Sequence, residues 1–224
     1  MMEVMGERGT AGRAGAPRAR VGRPRATPRT DDGRSAKAQI LDAAAELFTT
    51  RGYAATSTRE IAERAGIRQA SLYYHVSAKP QLLLELLDAS VRPTLEGLDD
   101  LLARPDAPAA LYALATRDVQ TLLTAPHNLA VLYLTPELAD PEFASLHEAR
   151  GRLRAAYVDL ARRIGGPGGA DFRGAACLQL VELAIELRQR GEVPPDAPHD
   201  IALACLRVVE AHPHDIARVS GTAR

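Results

Sequence analysis

The sequence predicts an all-α protein, and three observations support this prediction. From Ser35 onward, apolar residues recur every three or four positions, as they do along one face of an α-helix. No stretch alternates polar and apolar residues in the way that a half-buried β-strand requires. Prolines and glycines interrupt the apolar stripes where helices would end. We therefore expect helices joined by short turns.

The N-terminal part of this pattern predicts four helices, at about 35–51, at 57–65, from Gln69 and from Lys79. Gly52 and Gly66 follow the first two stripes, where a terminating glycine is expected. Ser57 and Glu60 have the spacing of a capping box, with Thr56 as the alternative cap. The second helix is therefore expected to be short and well defined at both ends.

The C-terminal part predicts further helices at about 108–124, 127–133, 142–164, 171–190 and 199–211. The last two are apolar around most of their circumference, so they must be covered on more than one side. Either they are central in the monomer, or one face meets the same helices of a second copy. We favour the second interpretation, a homodimer, because terminal helices are seldom wrapped by their own chain.

Composition and length exclude several classes of protein. The 224 residues suffice for one large domain or two small ones, and an apolar share of 46% with 25% charged residues argues against a disordered or fibrous chain. No run of 18 apolar residues exists, which excludes a membrane-spanning helix. Two distant cysteines do not form a disulfide framework. We expect a cytoplasmic protein without a membrane partner.

The formal net charge of zero conceals a segregation of charge. Residues 1–79 contain 14 Lys and Arg against 8 Asp and Glu, whereas residues 80–224 contain 14 against 20. Residues 1–34 have no apolar periodicity and are interpreted as a disordered basic arm. This division is typical of a polyanion-binding module joined to a second domain. A chance imbalance on solvated faces remains the alternative.

The segment 58–79 has the pattern of a helix-turn-helix. Ala62 is small enough for a second helix to approach closely, and Gly66 can adopt the backbone conformation of a tight turn. Ile67 and Leu72 are placed to pack the second helix of the motif against the first. With a preceding apolar stripe and a basic arm, the pattern predicts a three-helix DNA-binding domain.

These residues resemble the tetracycline-repressor (TetR) family of bacterial transcription regulators. The matching residues, in the family's order and spacing, are Ile40-Leu41-Asp42-Ala43-Ala44, Leu47-Phe48, Gly52-Tyr53, Thr56-Ser57, Ile61-Ala62, Ala65-Gly66-Ile67, Ser71-Leu72-Tyr73-Tyr74-His75, and Lys79 through Leu82-Leu83. The resemblance implies a helix-turn-helix DNA-binding domain at 35–82 and a helical effector-binding and dimerisation domain at 83–224.

Three positions depart from the family's usual pattern. Val76 stands where an aromatic residue is typical, and Pro80 stands where an acidic residue is common. Arg68 replaces a small hydroxyl residue that often caps the third helix. Val76 should loosen the packing of that helix slightly. Arg68 leaves the cap unassigned and adds a cation at the start of the DNA-reading helix.

In a helix-turn-helix, the start of the second helix of the motif reads base edges, and flanking residues contact phosphates. The candidates for base reading are Arg68, Gln69, Ala70 and Ser71, of which Arg can pair with guanine, Gln with adenine, and Ala can touch a thymine methyl. The candidates for phosphate contact are Thr56, Arg59, Tyr73, Tyr74, His75 and Lys79. Core packing remains the alternative for one of the two tyrosines and for His75.

The arm contains a second candidate DNA contact. Arg20, Arg23 and Arg25 surround a Gly-Arg-Pro tripeptide, which can lie extended in the narrow minor groove of A·T-rich DNA. A similar tripeptide recurs ahead of the first helix in members of the family. A solvated tail is the alternative interpretation.

Motifs for catalysis and cofactor binding do not emerge from the sequence. His147-Glu148 lacks the second histidine of a zinc-protease helix, and 165–169 lacks the Lys-Ser/Thr of a phosphate loop. His199, His212 and His214 are better explained as a solvated tail than as a metal site. We expect no enzyme activity, cofactor or metal.

The resemblance also implies a small-molecule effector. Polar residues on otherwise apolar helices could line its cavity, although each could instead be a surface or satisfied core residue: Tyr112, Arg117, Asp118, His127, Tyr133 and His147. Pro93 interrupts the fourth helix and should kink it. We hypothesise that the kink helps to convert effector binding into a change of spacing between DNA-binding domains.

The sequence therefore predicts a homodimeric repressor that binds a palindromic DNA operator and is released by a small-molecule effector. The alternatives are a ligand-independent regulator or an activator of the same fold. From a different class, the chain could be a helical small-molecule-binding protein or an enzyme without DNA function.

Overall fold

The computed structural model describes residues 34–222, and every regular element within this range is helical. The α-helices are α1 (Ala36–Arg51), α2 (Thr58–Arg64), α3 (Gln69–Leu72), α4 (Lys79–Leu95), α5 (Leu98–Leu102), α6 (Ala107–Thr124), α7 (Ala144–Gly165), α8 (Ala170–Arg190), α9 (Ala197–Val208) and α10 (Pro213–Thr222). Three 3₁₀ turns, Leu129–Leu134, Pro136–Ala139 and Pro141–Phe143, connect α6 to α7. The all-α prediction is confirmed.

Two helices differ from the sequence prediction. The C-terminal segment with His212 and His214 was expected to be solvated, but α10 follows His212 and buries Val219. Ile216 and Val219 lie one turn apart and pack on the C-terminal core, which explains why this short segment is ordered as a helix. The short helix α5 was not expected either. In addition, the segment predicted as a helix at 127–133 is a 3₁₀ turn that begins at Leu129.

The N-terminal apolar core extends beyond the first three helices. Ile40, Phe48, Ile61 and Leu72 are fully buried in it, together with Leu82, Leu83 and Leu87 of α4. The 3₁₀ segment and the start of α7 supply further buried side chains to the same core: Leu129, Leu132, Leu138, Phe143 and Leu146. We call α1–α3 with the N-terminal half of α4 the head, and its core is completed by residues from the C-terminal half of the chain.

The second core is centred on α6, which packs against α4, α7, α8 and α9. Helices α7 and α8 approach each other closely at Gly174, where an added Cβ would lie 2.7 Å from the Val158 backbone. Cys177 and Cys205 are buried free thiols between α8 and α9, and each donates to the other's carbonyl oxygen at 3.6 Å. These contacts are typical of thiols that serve core packing.

A set of hydrogen bonds joins the head to α8 through the loop after α6. The Arg188 guanidinium on α8 donates to the carbonyl oxygens of Leu122, Ala125 and His127. The His127 ring then meets Asp42 of α1, with Nε2 2.9 Å from the carboxylate. This bond holds the pKa of Asp42 below its ordinary value. A single chain of contacts therefore runs from α8 to the first helix of the head.

None of the helices between residues 34 and 222 combines the length and the apolar character that a bilayer crossing needs.

Candidate nucleic-acid interface

The turn between α2 and α3 is built by Ala62 and Gly66. Gly66 has φ +69°, a conformation that glycine adopts without steric cost, and the Ile67 amide donates back to the Ala62 carbonyl at 2.9 Å. Ala62 and Leu72 are buried where the two helices meet. The arrangement is the helix-turn-helix that the sequence predicted, and it leaves the outer face of α3 in solvent.

The start of α2 is fixed by the predicted capping box. Ser57 Oγ accepts from the Glu60 amide at 3.2 Å, and the Glu60 carboxylate accepts from the Ser57 amide at 2.8 Å. The Ser57 backbone and hydroxyl donors, followed by the charge of Arg51, hold the pKa of Glu60 below its ordinary value. Thr56 does not cap α2.

The candidate base-reading residues lie together at the start of α3. Arg68, Gln69 and Ala70 are exposed, and Ser71 is half-buried. Arg68 is the N-cap and makes no side-chain capping bond, so its guanidinium remains available to a partner in solvent. The structure thus presents an arginine and a glutamine side by side at one edge of the motif.

Thr58 organises this face, and sequence reasoning missed it. Gln69 Nε2 donates to Thr58 Oγ1 at 3.2 Å, and the hydroxyls of Thr58 and Tyr73 are 3.0 Å apart. These contacts connect α2 to both ends of α3. Because the partners are 11 and 15 residues away in the chain, only the closed helix-turn-helix brings them together.

The aromatic residues after α3 face solvent. Tyr73 is 50% exposed and Tyr74 is 89% exposed, and His75 is exposed as well. Core packing therefore does not account for either tyrosine or for His75. Val76, the next residue, is buried and fills the core position.

Thr56 and Lys79 differ from the expectation of phosphate contact, because the structure gives both side chains internal partners. The buried Thr56 hydroxyl donates to the Gly52 carbonyl at 2.9 Å. Lys79 Nζ donates to the carbonyls of Tyr53 and Thr56 at 2.7 and 2.8 Å, and it lies 4.1 Å from the centre of the Tyr53 ring. Burial lowers the pKa of Lys79. Both residues hold the loop before α2.

The remaining candidates for DNA contact are Arg59 and the three arginines of the arm. Arg59 is exposed on α2 and pairs with Glu63 at 3.0 Å, an i,i+4 pair that solvent screens. The carboxylate offsets its charge without blocking its access to a phosphate. Arg20, Arg23 and Arg25 lie outside the described residues.

Comparisons with known proteins agree with this geometry. The family described as "Bacterial regulatory proteins, tetR family" matches residues 40–86. The HTH-type transcriptional repressor KstR2 of Rhodococcus jostii is 31% identical over 140 residues, which cover 59% of this chain and 68% of the relative. The chain belongs to the TetR family.

A crystal structure and a further relative extend the TetR-family comparison. The structure of Mycobacterium smegmatis AmtR has 40% sequence identity and a TM-score of 0.77, and the match covers 88% of this chain and 97% of that one. The HTH-type transcriptional activator FasR of Mycolicibacterium smegmatis is 42% identical over 62 residues, 28% of each chain. The relatives are named as transcriptional regulators, so this TetR-family protein is a regulator and not an enzyme.

The helical domain of this TetR-family regulator contains a narrow cavity of about 20 Å³, close to the volume of one water. Of the six candidate effector residues, Asp118 and Tyr133 line it, and Ser90, Arg150 and Glu182, which the sequence analysis did not select, line it too. Ser90 also borders an open groove of about 500 Å³ on the side of Arg117 and Pro93.

The other candidate effector residues lie elsewhere. Tyr112 contacts His199 of α9, with the hydroxyl oxygen 2.8 Å from Nδ1. The expectation that His199 belongs to a solvated tail is therefore wrong, because its ring is partly buried between α6 and α9. His127 belongs to the contact with Asp42, and His147 Nε2 lies 2.8 Å from the Leu138 carbonyl. Polar residues on otherwise apolar helices are therefore of two kinds in this protein. Some line the cavity, and others form contacts between helices or loops.

Proposed function

We propose that this TetR-family regulator is a repressor that binds a palindromic DNA operator as a homodimer and leaves it when a small molecule binds. The observation that carries the proposal is the exposed face that the helix-turn-helix presents, formed by Arg68, Gln69, Tyr73, Tyr74 and His75. Exposed tyrosine hydroxyls on this edge can donate hydrogen bonds to the phosphate oxygens of a DNA backbone.

Within this face, each side chain has a proposed role. Arg68 and Gln69 read base edges in the major groove, and Ala70 and Ser71 contact them at closer range. Tyr73, Tyr74, His75 and Arg59 contact phosphates and fix the register. Thr56 and Lys79 are positioning residues, because their side chains hold the loop before α2 and do not contact DNA. Arg20, Arg23 and Arg25 contact the adjacent minor groove.

The proposed dimer forms through α8 and α9. The inner side of α8 is buried against α7 and α9, but its outer side carries an apolar stripe that begins with Phe172, which is 78% exposed. The stripe continues through Ala176, Leu180, Leu183 and Leu187, at helical spacing of three and four residues. A second copy would cover this stripe and set the two heads about one DNA turn apart, or a multiple of it.

Repression is favoured over activation because the alignment with the repressor KstR2 covers 140 residues, whereas that with the activator FasR covers 62. Release follows if an effector binds more tightly to a conformation whose head spacing does not fit the operator. Because its target is chromosomal DNA, the regulator acts in the bacterial cytoplasm.

The test is a double substitution, Arg68→Ala with Gln69→Ala. Footprinting on the DNA upstream of the protein's own gene first locates the operator, and fluorescence anisotropy then measures affinity at fixed salt. Loss of two base contacts worth about 1–3 kcal/mol each should reduce specific affinity by about 30-fold or more. Non-specific affinity should change much less.

The matched control is Arg104→Ala with Gln189→Ala, which removes the same residue types from exposed positions far from α3. Its operator affinity should equal that of the wild type. An unchanged affinity in the Arg68–Gln69 variant would contradict the proposed interface, and a strictly monomeric protein at micromolar concentration would contradict the proposed dimer.

A further inference from the structure

Asp118 is a carboxylate buried in the helical domain. It is 4% exposed in the middle of α6, and it accepts hydrogen bonds from Tyr157 at 3.1 Å and from Thr94 at 3.2 Å. Within residues 34–222, no lysine or arginine forms an ion pair with it. Burial raises the pKa of the Asp118 carboxyl to about 6, so the group is ionised at pH 7.5 at a cost in stability.

The neighbouring charges do not compensate for Asp118. Arg150 donates to Glu182 at 2.7 Å and lies over the Tyr133 ring, 3.9 Å from its centre. The second Glu182 oxygen accepts from Gln179 at 2.7 Å. The ion pair therefore neutralises itself, and the cavity has one negative charge in excess when Asp118 is ionised.

The rest of the cavity wall limits what can enter. The hydroxyls of Ser90 and Tyr133, 2.7 Å apart, offer acceptor oxygens, and the remaining wall is aliphatic. The enclosed space fits one group of the size of water, such as an ammonium head. A short alkyl tail would extend toward the open groove of about 500 Å³, which Ser90 also borders.

We propose that the effector of this regulator is a small primary amine, bound as its alkylammonium ion with the charged head against Asp118. The assignment rests on the proposed function, because it names the chemical class of the molecule that releases the operator. Bound in this way, the ligand supplies the counter-charge that Asp118 does not find among residues 34–222, and its N–H groups replace none of the existing hydrogen bonds of Asp118. Its alkyl part would extend into the groove that shares Ser90, where Pro93 and Leu129 offer apolar contact.

The test compares three probes of equal size and different charge: propylammonium chloride, 1-propanol and sodium propionate. Each is added to the full-length protein at matched ionic strength, with sodium chloride as the balance, and thermal unfolding and calorimetric binding are measured. Propylammonium alone should raise the Tm, in proportion to the logarithm of its concentration above Kd. An equal rise with propanol or propionate would overturn the proposal.

Asp118→Asn removes the charge and keeps the shape. We expect it to abolish the propylammonium response, whereas Asp99→Asn, at a carboxylate that is 88% exposed, should retain it. A response that persists in Asp118→Asn overturns the proposal. If Asp118→Asn does not fold, the wild type decides: affinity should fall up to tenfold per pH unit below about pH 6, because the protonated carboxyl does not attract a cation.

The groups that face Asp118 are Tyr157, Thr94, Tyr133, Cys205, Arg150 and Glu182. Among them, Glu182 is the one other carboxyl, so Glu182→Gln checks that the pH dependence belongs to Asp118. The same samples are tested for operator binding. Operator binding that propylammonium leaves unchanged overturns the effector assignment and leaves the DNA-binding proposal standing. Propylammonium binding without any operator binding overturns the proposed function instead.

Discussion

The Lys79 ammonium holds the loop between α1 and α2 by two backbone carbonyls, those of Tyr53 and Thr56. We predict that Lys79→Met lowers the free energy of unfolding by about 1–3 kcal/mol, because two carbonyls lose a charged donor while the aliphatic stem is largely kept. Urea titration measures the change. Lys37→Met is the control: its pair with Glu85 lies at the surface, and the expected change is below about 1 kcal/mol.

The same variant distinguishes two roles for Lys79. A lysine bound to a phosphate contributes about 0.9 to the slope of log K against log salt concentration. Because the ammonium is already bound inside the protein, we expect Lys79→Met to leave that slope unchanged. A slope smaller by about 0.9 would instead assign Lys79 to the DNA backbone.

Single residues were predictable where their neighbours in sequence decide their environment. Ser57 and Glu60 lie one helical turn apart, and their mutual bonds were correctly predicted. Lys79 and Thr58 were not, because their partners come from segments that only the folded head brings together. Asp118 was selected for its polarity, yet its isolation from any cation among the described residues is visible only once α4, α6 and α7 are packed.

Helices α7 and α8 depend on the missing side chain of Gly174. A Cβ at this position would lie 2.7 Å from the Val158 backbone, so we predict that Gly174→Ala destabilises the protein by about 1–3 kcal/mol or more. Gly151→Ala is the matched control, since nothing lies within 4 Å of a Cβ there. That change should stabilise α7 by about 0.5–1 kcal/mol. Equal effects of both substitutions on Tm would contradict the close approach.

Pro93 lies in the last turn of α4, two residues before the helix ends at Leu95. Because proline has no backbone N–H, the Ala89 carbonyl lacks its helical hydrogen bond, and Pro93→Ala would restore that hydrogen bond. We predict that the substitution changes operator affinity or the effector's influence on it, because α4 connects the head to the cavity. If anisotropy titrations with and without effector match the wild type while helicity is intact, the proline is incidental.

Long helices with a terminating glycine or a proline-marked start were predicted closely, as α1 and α8 illustrate. The short helices α5 and α10 were missed because each buries few apolar side chains: α5 buries Leu98 and Leu101, and α10 buries Val219 with Ile216 partly covered. These are too few for a periodic pattern. Their order comes from tertiary packing on α6.

The residues of the head do not complete its apolar core by themselves. Leu129, Leu132 and Phe143 complete the core around Leu72 and Leu83. We therefore predict that a fragment of residues 34–87, which contains the whole head, loses most of its helicity and unfolds without a cooperative transition. Circular dichroism with temperature measures both, and a chain of residues 34–224 is the control that should melt sharply. A sharp transition in the short fragment would establish the head as an independent domain.

Arg188 gives the proposed dimer a mechanical consequence. Arg188 lies on α8, the helix that would face the second protomer. Its guanidinium donates hydrogen bonds to three carbonyl oxygens around the end of α6. A rotation of α8 about its own axis would either break these hydrogen bonds or move the loop after α6. That loop is bonded to α1 through His127 and Asp42. In the proposed dimer, a small rotation of α8 at the interface would therefore displace the helices that we propose to bind the operator.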